Sequence, residues 1–447
     1  MDSCPALPSF VARLMLIVPL LAACTAEEEL VDGLYAPAEW ERIQTLAPLP
    51  DPPKDPTNKY ADDPAAAALG HKLFHEKGYS GAIVTEDLAN GGLGKAGETG
   101  KISCASCHSG PWLIDERSKP GDNSLGSTWL PRNANAVVNA VYYLPWIEND
   151  GISDSLWSDA LVDPEGIAMN GSRLAVAHVL WDNYRDEYNA IFDPDLDPAL
   201  DPAAPDAARF PPEGKPGVEA WEAMAPADQE HVTRIFANFG KALDAYMRLL
   251  ISRDAPFDRY VAGDMTAIDA SAKRGLKLFI GKAACVECHD GPHFDDSDDK
   301  FRVNGLRPEG SQVVPEETGR QFVIDYILAN PFNGAGELSD DVAEGKRRLA
   351  EISGLDAAAI AELNGKWRVK GLRQVAVTAP YMHTGQFKTL REVVEFYNDG
   401  GHPDGFVGIK DPLMVPLNLS ESEIDDLVAF LGTLTGEQVP AALIAPP

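Results

Sequence analysis

Cys104-Ala105-Ser106-Cys107-His108 and Cys285-Val286-Glu287-Cys288-His289 are the two stretches on which the fold turns. Each reads C-x-x-C-H, the attachment motif of c-type haem. Two thiols at this spacing reach the two haem vinyl groups as thioethers, and the His that follows lies under the iron as its proximal ligand. Cys104, Cys107, Cys285 and Cys288 are thus the expected haem-binding cysteines, and His108 and His289 the expected iron ligands. Two other uses of these residues stay open at this point. Two C-x-x-C pairs would also close one structural zinc tetrahedron, although zinc leaves a His after both pairs unexplained. A disulfide framework suits short secreted chains, whereas this chain has 447 residues and six Cys.

Matching patterns flank the two motifs. Gly70-His71-Lys72-Leu73-Phe74 precedes the first, and Gly275-Leu276-Lys277-Leu278-Phe279 the second. Apolar residues recur at helical spacing in both, as Leu69/Leu73/Phe74 and Leu276/Phe279/Ile280. Each half then closes with an amphipathic helix. The first spans about residues 231–250, with Ile235, Phe236, Phe239, Leu243 and Tyr246 on its apolar face. The second spans about residues 421–434, with Ile424, Leu427, Val428 and Leu431 on its face and Ser420…Glu423 as a capping box. The fold class expected is mainly α: two tandem cytochrome c-like domains, each with one covalently bound haem, joined by long loops. A Gly-rich insert at about residues 78–101 and a Pro/Asp-rich stretch at 193–217 read as loops, the latter on the surface.

The N-terminus reads as a targeting signal. Residues 14–22 (LMLIVPLLA) follow Arg13, too short a run to span a bilayer and right for a secretory signal. The run ends in Leu21-Ala22-Ala23-Cys24, which resembles the bacterial lipobox, in which the Cys is lipidated; an ordinary signal peptide cut nearby is the plainer alternative. The organisation expected is a lipoprotein signal over 1–23, an extended tether over 24–60, an N-terminal cytochrome c domain over 61–255, a C-terminal one over 256–440 and a tail over 441–447. The expected location is the periplasm, tethered by lipid to a bacterial membrane. Asp and Glu number 69 against 38 Lys and Arg, a formal charge of −31. That excludes the basic footprint of a nucleic-acid binder and favours a basic partner.

With these pieces assembled, the chain resembles the bacterial di-haem cytochrome c peroxidases and their MauG-type relatives over roughly residues 60–440. Beyond the haem motifs, the resemblance rests on Pro131-Arg132-Asn133 with Val137-Val138-Asn139-Ala140, on Asp150-Gly151 with Asp154-Ser155-Leu156-Trp157, and on Leu372-Arg373-Gln374 running through Ala379-Pro380-Tyr381-Met382-His383-Thr384-Gly385. It implies a peroxidase-type oxidoreductase in which hydrogen peroxide meets the N-terminal haem and the C-terminal haem passes electrons. It implies a calcium ion between them, held by the Asn133 side chain and the Thr378 and Pro380 carbonyls; oxygen ligands suit that hard cation. The electrons would come from a small periplasmic donor, a c-type cytochrome or cupredoxin, or from residues of a protein substrate. A homodimer is a further family expectation.

The resemblance also directs attention to the sixth iron ligands. In the peroxidases a Met lies seventeen residues beyond the Pro of the Ala-Pro-Tyr block; here that position is Tyr397, and MauG-type enzymes carry a ligating Tyr there. Leu390, Val393, Val394 and Tyr397 share one helical face behind a Thr389…Glu392 capping box, so a core tyrosine is the plain alternative. Met382 is the rival sixth ligand, and His383 reads as a support residue. At the N-terminal haem, no His falls between His108 and His178, so that iron is expected to be five-coordinate or water-bound. Departures cluster on this side. The family's distal Glu aligns with Ala168, with Glu165 nearby as a substitute or a solvated loop carboxylate. The aromatic between the haems aligns with Asn149, leaving Trp146 or Trp157 as the bridge or as packing residues. Ile152 replaces an Arg and Gln374 an Asn. With the distal acid lost, a non-catalytic di-haem electron-transfer cytochrome is the alternative function, and a membrane-bound haem sensor or scaffold a third.

Overall fold

The computed structural model describes residues 29–119, 122–296, 299–310 and 318–447. The signal segment and Cys24 lie outside the described residues. Two crossed helix pairs organise the chain, which is mainly helical. The first pair is Pro64–His75 against Pro226–Met247. Asp63 caps the opening helix through the N–H groups of Ala65 and Ala66, Pro64 sits at its first position, and Leu69, Leu73 and Phe74 face inward. The second pair repeats the design: Ala270–Ile280, capped by Asp269, packs against Glu421–Gly432, opened by the expected Ser420/Glu423 capping box. Glycine decides both crossings. A Cβ on Gly70 would lie 1.9 Å from the Ala242 carbonyl, and one on Gly275 would lie 1.9 Å from the Asp426 carbonyl. The helices therefore meet backbone to backbone, and each fully buried Leu or Phe at the contact contributes about 1.5–3 kcal/mol.

Two cores follow from the two pairs. The first gathers Leu73, Phe74, Trp157, Leu180, Phe236 and Tyr246; the second gathers Phe257, Leu276, Phe279, Phe294, Leu427 and Phe430. A third, smaller cluster of Trp146, Phe301, Val323, Ile324, Leu349 and Ile352 joins the halves. The one described sheet is a two-stranded antiparallel ribbon, Phe301–Arg302 with Trp367–Arg368, in which Phe301 faces Arg368.

The chain ends differ from the sequence reading. The tether expected over 24–60 is folded in its described part: Pro37–Gln44 is a helix, and Tyr35, Ile43, Leu46 and Ala47 belong to the C-terminal core. Tyr35 donates to the Lys273 carbonyl at 2.7 Å, and Lys277 pairs with Glu39 at 2.8 Å. The Pro- and Asp-rich composition that suggested a leash hides these few apolar anchors. The tail expected over 441–447 is likewise packed, and onto the opposite half. Leu443 and Ile444 lie against the N-terminal core, the Tyr246 hydroxyl donates to the Leu443 carbonyl at 2.5 Å, and His71 Nε2 meets the Ala445 carbonyl at 2.9 Å. Each end of the chain thus closes the half that the other end begins. Residues 193–217 are also more than a surface loop, because Leu196, Ala199, Leu200 and Phe210 are buried in the first core. The first closing helix starts five residues earlier than expected and stops at Met247, Pro226 setting its first turn.

Candidate functional site

Each C-x-x-C-H motif folds into a single helical turn. The His N–H closes it onto the first Cys carbonyl, His108 to Cys104 at 3.0 Å and His289 to Cys285 at 2.9 Å. The chain then turns through Gly110 and Gly291, each at φ +67°, and through Leu113 and Phe294, at φ +51° and +60°. This turn carries the Phe294 carbonyl to 2.9 Å from His289 Nδ1. A carbonyl only accepts, so Nδ1 holds the proton and Nε2 keeps its lone pair, the tautomer an iron ligand requires. At His108, burial lowers the pKa, opposed by the Asp115 carboxylate and the Leu113 carbonyl.

An Arg stands beside the second Cys in both halves. Arg117 bonds Asp115 at 3.0 Å and reaches Cys107 Sγ at 3.5 Å. Arg302 bonds Asp296 at 2.8 Å and acts on the Cys288 thiol. Burial pushes the Cys104, Cys107 and Cys285 thiols up to about 12 and Cys288 to about 11. Zinc would need four thiolates at one point; these thiols sit in pairs against two separate cores. Four thiols in two such pairs, each followed by a half-buried imidazole, fit two haems c.

Around Cys285, Cys288 and His289 opens a cavity whose far wall includes Leu390, Val393, Val394 and Tyr397. These four sit on one face of the helix Leu390–Asn398, started by the Thr389/Glu392 capping box. The Tyr397 hydroxyl bonds Asn304, both thiols act on it, and burial pushes it up to about 12. Met382 and Met414 also reach this wall. His383 lies flat on Trp367, ring centroids 3.8 Å apart and planes 13° apart, with the Arg132 guanidinium 4.7 Å from the same indole.

The residues expected to serve the N-terminal haem divide differently. Glu165 is not a solvated loop carboxylate but half of an ion pair. Both of its oxygens are engaged by Arg173, at 2.9 and 2.7 Å, and it also accepts the Arg173 backbone N–H at 2.9 Å. It therefore anchors the start of helix Arg173–Ile191. Ala168 is buried, its carbonyl accepting from Ser127 N–H at 2.7 Å. Trp157 is a core residue whose Nε1 donates to Thr57 Oγ1 at 3.0 Å. Trp146 sits in the joining cluster with the Arg320 guanidinium 3.9 Å over its ring. Neither tryptophan lines the C-terminal cavity, whereas Asn149 does.

The aromatic that reaches from the first half into this cavity is Tyr143, which the sequence reading passed over. Its ring stands 4.7 Å from that of His293, its hydroxyl accepts from Gly371 N–H at 3.0 Å, and Lys370 Nζ lies 4.7 Å from its ring. A repeat would have flagged it. Asn139-Ala-Val-Tyr-Tyr-Leu-Pro145-Trp146 matches Gln374-Val-Ala-Val-Thr-Ala-Pro380-Tyr381 in spacing. Asn139 and Gln374 both open a tight turn at positive φ, 64° and 60°, and bond each other at 3.0 Å. Gln374 in place of the expected Asn therefore serves the junction of the halves. Beside it, Asn133 Nδ2 donates to the Pro380 carbonyl at 2.8 Å, and Asn133 N–H to the His383 carbonyl at 3.0 Å. Thr378 Oγ1 turns back to the Val375 carbonyl at 3.4 Å.

A family model described as di-haem cytochrome c peroxidase matches residues 64–266. Cytochrome-c peroxidase IdrP1 of Denitromonas iodatirespirans is 31% identical over 440 residues, 95% of this chain and 93% of its own length. Methylamine utilization protein MauG of Methylorubrum extorquens is 27% identical, over 95% of this chain and 91% of its own. Among solved structures, the diheme peroxidase BthA from Burkholderia thailandensis shares the fold, with a TM-score of 0.56 at 19% identity over 86% of this chain and 90% of that one.

Proposed function

The chain belongs to the di-haem cytochrome c peroxidase family and is a peroxidase-type oxidoreductase, and on that premise we propose how it divides the work between its halves. Hydrogen peroxide reacts in the N-terminal unit, at the haem of Cys104, Cys107 and His108. The C-terminal unit, holding its haem through Cys285, Cys288 and His289, passes the electrons. They come from a small periplasmic c-type cytochrome or cupredoxin, or from oxidised residues of a partner protein. Bound haem supplies the redox chemistry; the chain's own residues set its ligands, its surroundings and its protons.

The observation that carries this reading is the donor set. Each half holds a C-x-x-C-H turn against its own core, and His289 has its Nδ1 proton tied to a carbonyl. Tyr397, on the cavity wall within reach of both C-terminal thiols, is proposed as sixth ligand, with Met382 as the rival. A phenolate oxygen favours higher iron oxidation states, whereas Met raises the potential. This tilts the outlet towards a protein substrate, as in MauG-type relatives. Stoichiometric peroxide added to the diferric protein is expected to change the haem absorption spectrum directly. No change in that state, with turnover only after one-electron reduction, would overturn the MauG-like version. Tyr397→Met is expected to raise the C-terminal potential; an unchanged potential and spectrum would remove Tyr397 as ligand.

Calcium is proposed at the junction through Asn133, Thr378 and Pro380. Asn133 and Pro380 meet at the junction, where Asn133 Nδ2 now donates to the Pro380 carbonyl; an ion there would take the Asn133 amide oxygen instead. Export with lipid at Cys24, periplasmic location and a homodimer complete the proposal. The net charge of −31 would steer a basic partner to this surface.

A further inference from the structure

The wall of the C-terminal cavity is charged in the opposite sense to the chain. The chain carries −31, yet Arg302, Arg368, Lys370 and Arg373 line this cavity, with Asp411 as the only carboxylate among its described residues. The three arginines are already paired. Arg302 bonds Asp296 and Asp411, each at 2.8 Å. Arg373 bonds Asp258 at 2.7 Å, and two further N–H groups go to the Pro292 and Leu46 carbonyls, at 2.9 and 3.1 Å. Arg368 bonds Asp295 at 2.7 Å.

Donors are left over at one place on this wall. Lys370 is half-buried, and among the described residues its Nζ makes no ion pair and no hydrogen bond. Arg368 is buried, and its Nε and Nη1 have no hydrogen-bond partner. The two side chains stand together, because both lie over the ring of Tyr143. The Arg368 guanidinium carbon is 5.0 Å from the ring centroid and Lys370 Nζ is 4.7 Å from it. Tyr143 is held from both halves: it packs on the N-terminal core, and its hydroxyl accepts the Gly371 N–H at 3.0 Å. An ammonium and two buried N–H groups gathered without an acceptor are costly, so the place suits an anion. Haem c brings two. Its propionate carboxylates sit on the edge of the macrocycle away from the vinyl groups, and thioethers at Cys285 and Cys288 would fix the vinyl edge. The carboxylates must then end elsewhere on the wall of the same cavity.

We propose that Lys370 and Arg368 hold a propionate of the C-terminal haem, Lys370 supplying the counter-charge and Arg368 the N–H groups that Asp295 leaves free. This rests on the reading that Cys285, Cys288 and His289 carry haem c. Both are positioning residues: they touch the edge of the cofactor and act on the iron through charge. A positive charge there opposes the additional positive charge of ferric iron, so it raises the reduction potential of this haem. Through Tyr143 the same contact ties the cofactor to the joint between the halves.

The test uses the haem-loaded full chain. A carbodiimide joins a touching ammonium and carboxylate as an amide, with loss of water. Digestion and mass spectrometry are expected to find the Lys370 peptide joined to the haem carried by the Cys285–Cys288 peptide. That product should disappear in Lys370→Arg, whose guanidinium does not couple. Lys370→Met is expected to lower the C-terminal potential, cutting the ratio of reduced to oxidised haem at a fixed ambient potential about tenfold, whereas Lys370→Arg keeps it near the unaltered value. Arg368→Lys can still pair with Asp295 and keeps the charge, so it should lower the potential less; no change at all would take Arg368 out of the site. A Cys285–Cys288 peptide without haem would overturn the haem reading itself. With haem in place, Lys370 left free, or joined to the haem of Cys104 and Cys107 or to a protein carboxylate, would overturn the assignment alone. So would a C-terminal potential that Lys370→Met leaves unmoved.

Discussion

The two halves repeat one scaffold, down to the Arg–Asp pair beside the second Cys, but differ in how some of their other carboxyls are partnered. In the C-terminal half, burial alone would raise Asp295, but His293 at 3.6 Å and Arg368 at 2.7 Å hold it well below the usual carboxylate range. Burial keeps His293 itself neutral near pH 7, so Arg368 is the permanent partner. Asp296 is tied to Arg302 at 2.8 Å, as Asp115 is to Arg117 at 3.0 Å in the other half. In the N-terminal half, enclosing protein and the charge of Glu148 push Asp150 and Asp163 up to about 6, the latter on a residue that water still reaches, and among the described residues Asp163 makes no ion pair. On the proposed division of work, a fixed charge suits the unit that passes electrons, since its surroundings should not change with each one. The difference lies in which carboxyls received an arginine.

The same chemical change should therefore have opposite consequences in the two halves. Asp295→Asn leaves the Arg368 charge buried without its partner, and is expected to cost about 3–5 kcal/mol of stability in urea unfolding. A loss under 1 kcal/mol would show that the pair is as dispensable as a surface one. Glu165→Gln is expected to cost about 1–3 kcal/mol by breaking the anchor to Arg173, while the peroxide reaction keeps its rate. A fall in that rate of about 10²-fold or more would return Glu165 to the catalytic side.

Removing residues 441–447 uncovers the N-terminal core where Leu443 and Ile444 lie, and is expected to lower its stability by about 1–2 kcal/mol. The C-terminal haem spectrum should be unaffected; a change there would mean the halves are coupled through their exchanged ends. Smallest is the effect of Asp163→Asn on stability. Because the folded pKa is raised to about 6 from an unfolded value near 4, ionising Asp163 weakens folding as pH rises between the two. The substitution should make no difference below about pH 4 and stabilise by about 1 kcal/mol above pH 6, a figure reduced for the water that reaches the carboxyl. Destabilisation at pH 7 instead would erase the contrast with Asp295.

Much of this was legible from the chain. C-x-x-C-H is a local motif, so its thiols and imidazole are set by covalent spacing and one helical turn. The capping boxes at Thr389 and Ser420 are equally local and form as read. The face Leu390, Val393, Val394 and Tyr397 follows from helical periodicity, and the structure brings all four to one cavity wall. What escaped were contacts between distant segments. Composition made residues 24–60 a leash and 441–447 a tail, because a handful of apolar anchors in a polar stretch gain meaning only when a core is there to receive them. Tyr143 is hidden in the sequence beside the larger indoles of Trp146 and Trp157, both of which belong to buried clusters.

The carboxyls mark the boundary most sharply. From the sequence, Glu165, Asp163 and Asp159 are three similar acids within seven positions. The local chain determined where the two C-x-x-C-H turns lie, since their residues are neighbours in sequence. Only the tertiary structure decided that Glu165 receives Arg173, Asp295 receives Arg368 and Asp163 receives no cation at all. The reason is physical. A carboxyl's protonation depends on desolvation and on charges brought close by folding, and those come from residues that the sequence keeps far apart.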